Sequence, residues 1–368
     1  MLTRRQFVRT ALVAGGASSL ALVTQAQPGP GAAPPAEADP ISPETQQVID
    51  RSLAGMASTQ AQDGSFSDAS TGFGNVAITG LAGLALMAAG HQPGRGRFGE
   101  AVARAADYVV RRGNSNGSVP GYLNNADALM SHGSMYQHGF GALFLAEVYG
   151  MVPSPDRQRA LRAMLEKAVG LTRNSQNNEG GWRYEPRSVQ VADISVTVAQ
   201  LMALRAAKNA GVAVPKGVVD KCVSYIKACQ LPDGGFCYIK NQGGVGSAFA
   251  RTAAAVVGLF SAGIYDGKEV EGGLSYVMRY LPSRRANFNE ARPEQHYYYG
   301  HYYAALAMWT AGGNYWAEWF PAIRDELLAR YRQSGGWSDP RGHGPAYAAA
   351  MACIILQLPN NYLPIMQK

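Results

Sequence analysis

Gln176-Asn-Asn-Glu-Gly-Gly-Trp-Arg-Tyr184, a polar link, and then Ala192-Asp-Ile-Ser-Val-Thr-Val-Ala-Gln-Leu-Met-Ala-Leu-Arg-Ala-Ala-Lys-Asn-Ala-Gly211 is the unit from which the chain is built. It reads as a glycine turn carrying an aromatic, followed by a helix with few charges that ends on glycine, where a left-handed cap is free of strain. So apolar a helix belongs inside a layer of others. The aromatics Phe66, Trp182, Phe236 and Trp337 follow similar turns, at about two, one and two multiples of a length of some fifty residues. Two further turns, degenerate in sequence, are therefore expected near Gly117 to Tyr122 and near Asn287 to Phe288. Six units result, each burying its apolar face against its neighbours.

Each unit pairs a helix with charges along one side, the outer one, with a nearly uncharged inner one. The outer helices are expected at 43–59, 98–112, 155–173, 216–228, 268–280 and 316–331. In the third, Leu161, Met164, Leu165, Ala168 and Val169 recur at three- and four-residue steps and form one apolar stripe opposite Arg and Lys. Ser154 before Pro155 is a helix start signal. The inner helices are expected at 75–89, 134–150, 193–210, 248–262, 297–311 and 345–358, with cores that mix large residues with Gly and Ala. An open solenoid would need polar caps on its terminal units, and the sequence has none. The expected architecture is all-α: an (α/α)6 toroid of six inner helices inside six outer ones.

The Gly-Gly-Trp and Gly-Gly-Phe turns, with Gln60, Gln176 and Gln230 each six residues before the aromatic, resemble the repeats of the protein prenyltransferase β-subunit and squalene-cyclase superfamily over essentially the whole chain after residue 42. That superfamily spans metal enzymes, acid-catalysed cyclases and binding domains, so the resemblance implies fold more than activity. It raises one cofactor, zinc. Asp193 matches the Asp ligand of the prenyltransferases and His301, in Tyr299-Gly-His-Tyr302, resembles their His ligand. Ser195 stands where their Cys ligand would be, and serine is a poor zinc ligand beside a thiolate. The Asp-x-Asp-Asp acid cluster of the cyclases is absent from the sequence.

With 368 residues, 47% hydrophobic and 16% charged, the chain can bury a large core in one domain, 43–368. The formal charge of +7 includes Arg4, Arg5 and Arg9 and comes with no basic cluster, which argues against nucleic acid as a partner. Thr3-Arg-Arg-Gln-Phe-Val-Arg9, the apolar run Ala11 to Val23 and Thr24-Gln-Ala26 resemble a twin-arginine export signal cleaved after Ala26, too short and glycine-rich for a membrane span. Residues 27–42, rich in Pro and Ala, read as a disordered linker. Of four cysteines, Cys222 and Cys229 share a helix face as core residues, and Cys229 and Cys237 flank a turn they could bridge. The expected location is extracytoplasmic.

In a toroid the concave site is the centre, and the first turns of the inner helices face one mouth. Aligning the inner helices places Asn75, Asp193 and Tyr298 in one layer, with Thr79, His138, Thr197, Arg251 and His301 one turn deeper. The candidate catalytic residues are Asp193, as acid or metal ligand, with His301 and His138 as bases or ligands. Arg251, Tyr298, Tyr302, Tyr136, Asn75 and Tyr347 are the candidate ligand contacts. Three functions fit these residue types: an apolar or isoprenoid-like ligand in the centre, a metal- or acid-dependent enzyme of the superfamily named above, and a polysaccharide lyase using Tyr, His and Arg on an (α/α) toroid.

Overall fold

The computed structural model describes residues 40–115, 119–125, 134–241, 246–282 and 296–367. The leader and most of the linker, and the turn expected at Asn287 to Phe288, lie outside them. Twelve α-helices alternate along the chain. The outer ones are α1 (Pro43–Ser58), α3 (Gly99–Ser115), α5 (Pro155–Ser175), α7 (Lys216–Ala228), α9 (Lys268–Met278) and α11 (Gly313–Ser334). The inner ones are α2 (Val76–Ala88), α4 (Ser134–Tyr149), α6 (Ile194–Asn209), α8 (Phe249–Ser261), α10 (Tyr297–Ala311) and α12 (Pro345–Gln357). Around the inner ring each helix packs on the next, and α12 returns to α2, while α1 lies on α12. The architecture is an (α/α)6 toroid. No helix among the described residues is long and apolar enough to cross a membrane.

One local device recurs and explains the repeat. The Gln six residues before the aromatic spans its own turn and the next outer helix: Gln176 Nε2 donates to the carbonyls of Gly180 and Val218, both at 2.9 Å, as Gln60 does to Gly64 and Ala101 and Gln230 to Gly234 and Glu269. The glycine two residues before the aromatic has positive φ (+97° at Gly180), and a Cβ there would run into the Lys221 carbonyl. The aromatic's amide then donates to a threonine one turn into the inner helix: Phe66 to Thr79, Trp182 to Thr197 and Phe236 to Thr252, at 2.9 to 3.0 Å. The motif residues are thus devoted to folding, not to chemistry.

In the second unit this alignment corrects the expected turn by one residue. Gly121 (φ +81°) and buried Leu123 take the glycine and aromatic positions, and the Leu123 amide donates to His138 Nδ1 at 3.2 Å. Helix ends differ from expectation by up to three residues, as frayed termini do.

The end of the toroid at the C-termini of the inner helices is covered by the chain's last residues. Trp309 Nε1 donates to the Met366 carbonyl at 2.8 Å, Asn360 Nδ2 to that of Ala88 at 3.2 Å, and the Ile365 amide to Glu147 Oε2 at 3.1 Å. Leu358, Leu363 and Met366 are buried there.

Candidate site at the axial mouth

Thr79, Thr197 and Thr252, and His138 in α4, look outward to the turns that they hold, so the residue two before that position on each inner helix looks to the axis. In chain order these are Ala77, Tyr136, Ser195, Ala250, Tyr299 and Tyr347. Tyr136 and Tyr299, on opposite sides of the ring, meet edge to face at 6.5 Å between ring centroids. One turn deeper, Leu81, Phe140, Ala199, Ala254, Tyr303 and Met351 are at most 5% exposed, and Phe140 meets Tyr302 across the axis at 6.3 Å. A water-sized hollow against these side chains would leave them exposed to it. The centre is closed at its second layer, and what remains is a shallow mouth with a phenolic floor.

Asp193 stands at the edge of this floor as the N-cap of α6. Its Oδ1 accepts from the Val196 amide at 2.9 Å, the local interaction expected of Asp at that position. The side chain is fully buried, and burial pushes its pKa up to about 6 against the pull of the Val196 N–H and of Arg183. The phenols of Tyr136, Tyr238 and Tyr299 lie within electrostatic reach of the carboxyl, and burial raises the pKa of each. The Tyr184 and Tyr238 hydroxyls are hydrogen-bonded to one another. Asp193 faces Tyr238, and the Tyr299 hydroxyl is grouped with Ser195 and the hydroxyls of Tyr136 and Tyr303, so a carboxyl and several phenols share one buried polar cluster under the mouth. Beside them the loop before α6 forms a concavity of about 340 Å³ lined by Arg183, Tyr184, Glu185, Val189, Gln190 and Val191.

The rim continues across α8 and α12. Arg251 is half-buried, its Nε donating to the Phe236 carbonyl at 3.1 Å and its Nη2 to that of Gly246. His343 Nδ1 lies 3.5 Å from Asp68 Oδ2, and its ring meets Tyr347 at 5.2 Å. The hydrogen bond to Asp68 raises the His343 pKa. Burial disfavours the Asp68 anion, but the hydrogen bonds from His343 and Ser70 outweigh it and leave the carboxyl below its ordinary range.

The remaining expected site residues do not join this cluster. His138 is buried in the wall between α4 and α5: Nδ1 accepts from Leu123, and Nε2 faces Thr172 Oγ1 at 3.0 Å and the Ala168 carbonyl at 3.3 Å. Burial lowers its pKa to about 4, so the ring is neutral with its proton on Nε2. It does the work of the threonines in the other units, which corrects the expectation of a base. His301 also points outward, enclosed by Tyr297 at 4.7 Å, Phe249 at 5.0 Å and Trp319 at 5.9 Å. His301 is thus packed among rings while Asp193 caps α6, and no group of three His, Cys, Asp or Glu side chains able to hold a metal occurs among the described residues. Asn75 uses its oxygen to cap α2, accepting from Ala77 and Ile78. Tyr298 is a wall residue set edge-on to Trp337 and Tyr347, and Tyr302 is buried on the axis. Of the expected set, Asp193, Tyr136, Tyr347 and Arg251 reach the mouth.

Ser195, Tyr184 and Tyr238 were not singled out by sequence as contacts. The signal for Ser195 was present: it sits two residues before Thr197.

No family model and no curated protein matches the chain. Among solved structures, an inactive variant of an α-1,6-mannanase of Salegentibacter sp. HEL1_6, in complex with α-1,6-mannotriose, is similar with a TM-score of 0.61 and 7% identity over 84% of this chain and 97% of that one. Cellobiose 2-epimerase from Bacillus thermoamylovorans B4167 follows at 0.56, with 11% identity over 86% and 97%, and D-mannose isomerase at 0.52, with 10% identity over 85% and 98%. Likenesses at this identity establish the toroidal fold and leave chemistry to the site.

Proposed function

We propose that this toroid binds a saccharide at its axial mouth, outside the cytoplasm, with Asp193 as the group that holds and releases a proton there. The observation that carries the reading is the phenolic floor over a closed second layer. Tyr136, Tyr299 and Tyr347 offer aromatic rings beside a polar rim, the combination that suits the alternating apolar and polar faces of a pyranose ring. A carboxyl with a pKa near 6 exchanges its proton near neutral pH, as general acid–base catalysis requires. The mannanase structure holds a mannotriose, and the epimerase and isomerase are named for a disaccharide and a hexose, which supports saccharide as the class of ligand. The mannanase variant is described as inactive through replacement of two adjacent aspartates. This sequence has no Asp-Asp pair, so that arrangement of acids does not carry over.

The test is a glycan-binding screen followed by calorimetry, on protein whose processed N-terminus is also sequenced. Saccharide binding that weakens tenfold or more in Tyr347→Ala and Tyr136→Ala, with melting temperatures retained, is expected. No bound glycan from a broad array, with a lipid recovered from the purified protein by mass spectrometry, would overturn the reading.

That outcome belongs to a second reading, the isoprenoid-like ligand implied by the repeat resemblance. One observation favours it. Phe73 and Val191, 66% and 41% exposed, stand in the loops that lead into α2 and α6 on the mouth side. The closed second layer counts against it, because a polyene would have no deep apolar channel to enter.

A further inference from the structure

The turn of the fourth unit carries two cysteines, and no other unit has one in its turn. Cys229 follows the last residue of α7, and Cys237 follows the aromatic, Phe236; the matching pairs are Thr59 and Ser67 in the first unit and Ser175 and Arg183 in the third. Between the two cysteines the chain doubles back. Gln230 and Phe236 are paired antiparallel, with the Leu231 amide donating to the Gly235 carbonyl at 2.8 Å and the Cys237 amide to the Cys229 carbonyl at 2.9 Å. Residues bonded across such a pair have Cα atoms about 5.5 Å apart, inside the range of about 4.4–6.8 Å that a disulfide spans. The Cys229 thiol faces that of Cys237. Cys222 lies two turns earlier, about 10 Å away along the helix axis, and Cys353 is a core residue of α12. Neither competes for Cys229.

We propose that Cys229 and Cys237 form a disulfide that fastens the end of α7 to the segment leading to Tyr238. The reaction is thiol–disulfide exchange, with a second disulfide as the oxidant. The sulfur of Cys237, 5% exposed against 0% for Cys229, attacks one sulfur of the oxidant and releases a first thiol. The Cys229 sulfur then attacks Cys237 in the mixed disulfide, forms the internal bond and releases a second thiol. The protons of the two cysteines end on the two released thiols, and the oxidant gains the two electrons that the cysteines lose. Burial pushes the Cys229 thiol up to about 12, which leaves the first attack to Cys237. Tyr238 accepts the Ile194 amide at 3.0 Å on its carbonyl and is hydrogen-bonded to Tyr184 through its hydroxyl, so the bond joins α7, its turn and the entry to α6 into one piece. Disulfides persist outside the cytoplasm, the location proposed above, and the pairing is independent of any ligand.

The experiment incubates the folded full chain, purified reduced, with oxidised glutathione, and refolds a second sample from denaturant in a glutathione redox buffer so that burial does not limit access. Both are then denatured, their free thiols blocked with iodoacetamide, and their peptides mapped by mass spectrometry. Of the four cysteines, Cys222 and Cys353 should be blocked, and Cys229 and Cys237 should appear as one linked peptide pair with no glutathione retained. The oxidised protein should melt about 4 °C above the reduced protein. The reduced wild type is the reference, so no variant has to fold. Four blocked thiols in both samples, a lasting glutathione adduct on Cys237 with Cys229 free, or a linkage that includes Cys222 or Cys353 overturns the inference and leaves the saccharide reading untouched. A linked pair that leaves the melting temperature unchanged or lower overturns the fastening role assigned to it.

Discussion

Asp193 shows how one side chain serves fold and site at once. Its first oxygen caps α6, and the carboxyl is buried among phenols. Asparagine caps a helix as well as aspartate, so Asp193→Asn keeps the first role and removes the proton. The sign of the effect follows from the raised pKa. Below the ordinary value of 3.8 both folded and unfolded states carry the proton, and the group contributes nothing to the pH dependence. Between 3.8 and about 6 the unfolded chain releases its proton first, so wild-type stability falls as pH rises and the full cost is reached above pH 6. For this fully buried group the loss is about 2–3 kcal/mol. The difference in unfolding free energy between Asp193→Asn and wild type, followed by denaturant titration from pH 4 to 8, should therefore grow in favour of the variant across that window. Curves that stay parallel would mean the carboxyl is solvated like any surface acid. His138 makes the complementary point: a buried imidazole looks catalytic in a sequence and is a threonine substitute in the fold.

At the level of the repeat, the glycine two residues before the aromatic and the glycines inside helices should respond oppositely to alanine. Gly180 has φ +97° and no room for a Cβ beside the Lys221 carbonyl, whereas Gly170 lies inside α5 with nothing within 4 Å of where its Cβ would be. Gly180→Ala should destabilise by about 2 kcal/mol or more through strain and displacement of the α7 backbone. Gly170→Ala should stabilise by about 0.5–1 kcal/mol through helix propensity. Chemical denaturation of the two variants beside wild type decides, and equal effects would show that the turn does not set the approach of the next helix. The same contrast explains what was legible in the sequence. Glycine, glutamine and aromatic recur at fixed offsets because their bonds are local, with partners four residues away or in the adjoining helix, and so all twelve helices could be read from the chain. The direction in which α4 and α6 present their side chains is set by the residue that binds the previous turn, His138 in one and Thr197 in the other. Aligning helices on their apolar cores misses that register by a fraction of a turn, which is enough to move an imidazole from the axis to the wall. The closed second layer was equally hidden, since Phe140 and Tyr302 meet across the axis from helices far apart in sequence.

On the scale of the whole ring, closure at one end leaves the other as the entrance. The last residues seal the far end, and the carboxyl of Glu147, 4% exposed, accepts the Ile365 amide there. Burial raises its pKa from 4.5 to about 7, opposed by that amide. The consequence is again a cost at higher pH: both states are protonated below 4.5, the unfolded chain loses its proton first, and stability declines until pH passes 7. Glu147→Gln keeps a carbonyl for the Ile365 amide and removes the titration. It should match wild type near pH 4.5 and exceed it by about 3 kcal/mol at pH 8. Removing residues 358–368 should cost about 5 kcal/mol through loss of the burial of Leu358, Leu363 and Met366, a fall in melting temperature on the order of 10 °C. It should also open Glu147 to water, so that in the truncated protein Glu147→Gln no longer alters the pH dependence. Melting curves of the four proteins from pH 4.5 to 8 test this as a cycle. If the glutamine effect persists unchanged after truncation, the tail is not what keeps water from Glu147, and the far end of the toroid is sealed by the inner helices themselves.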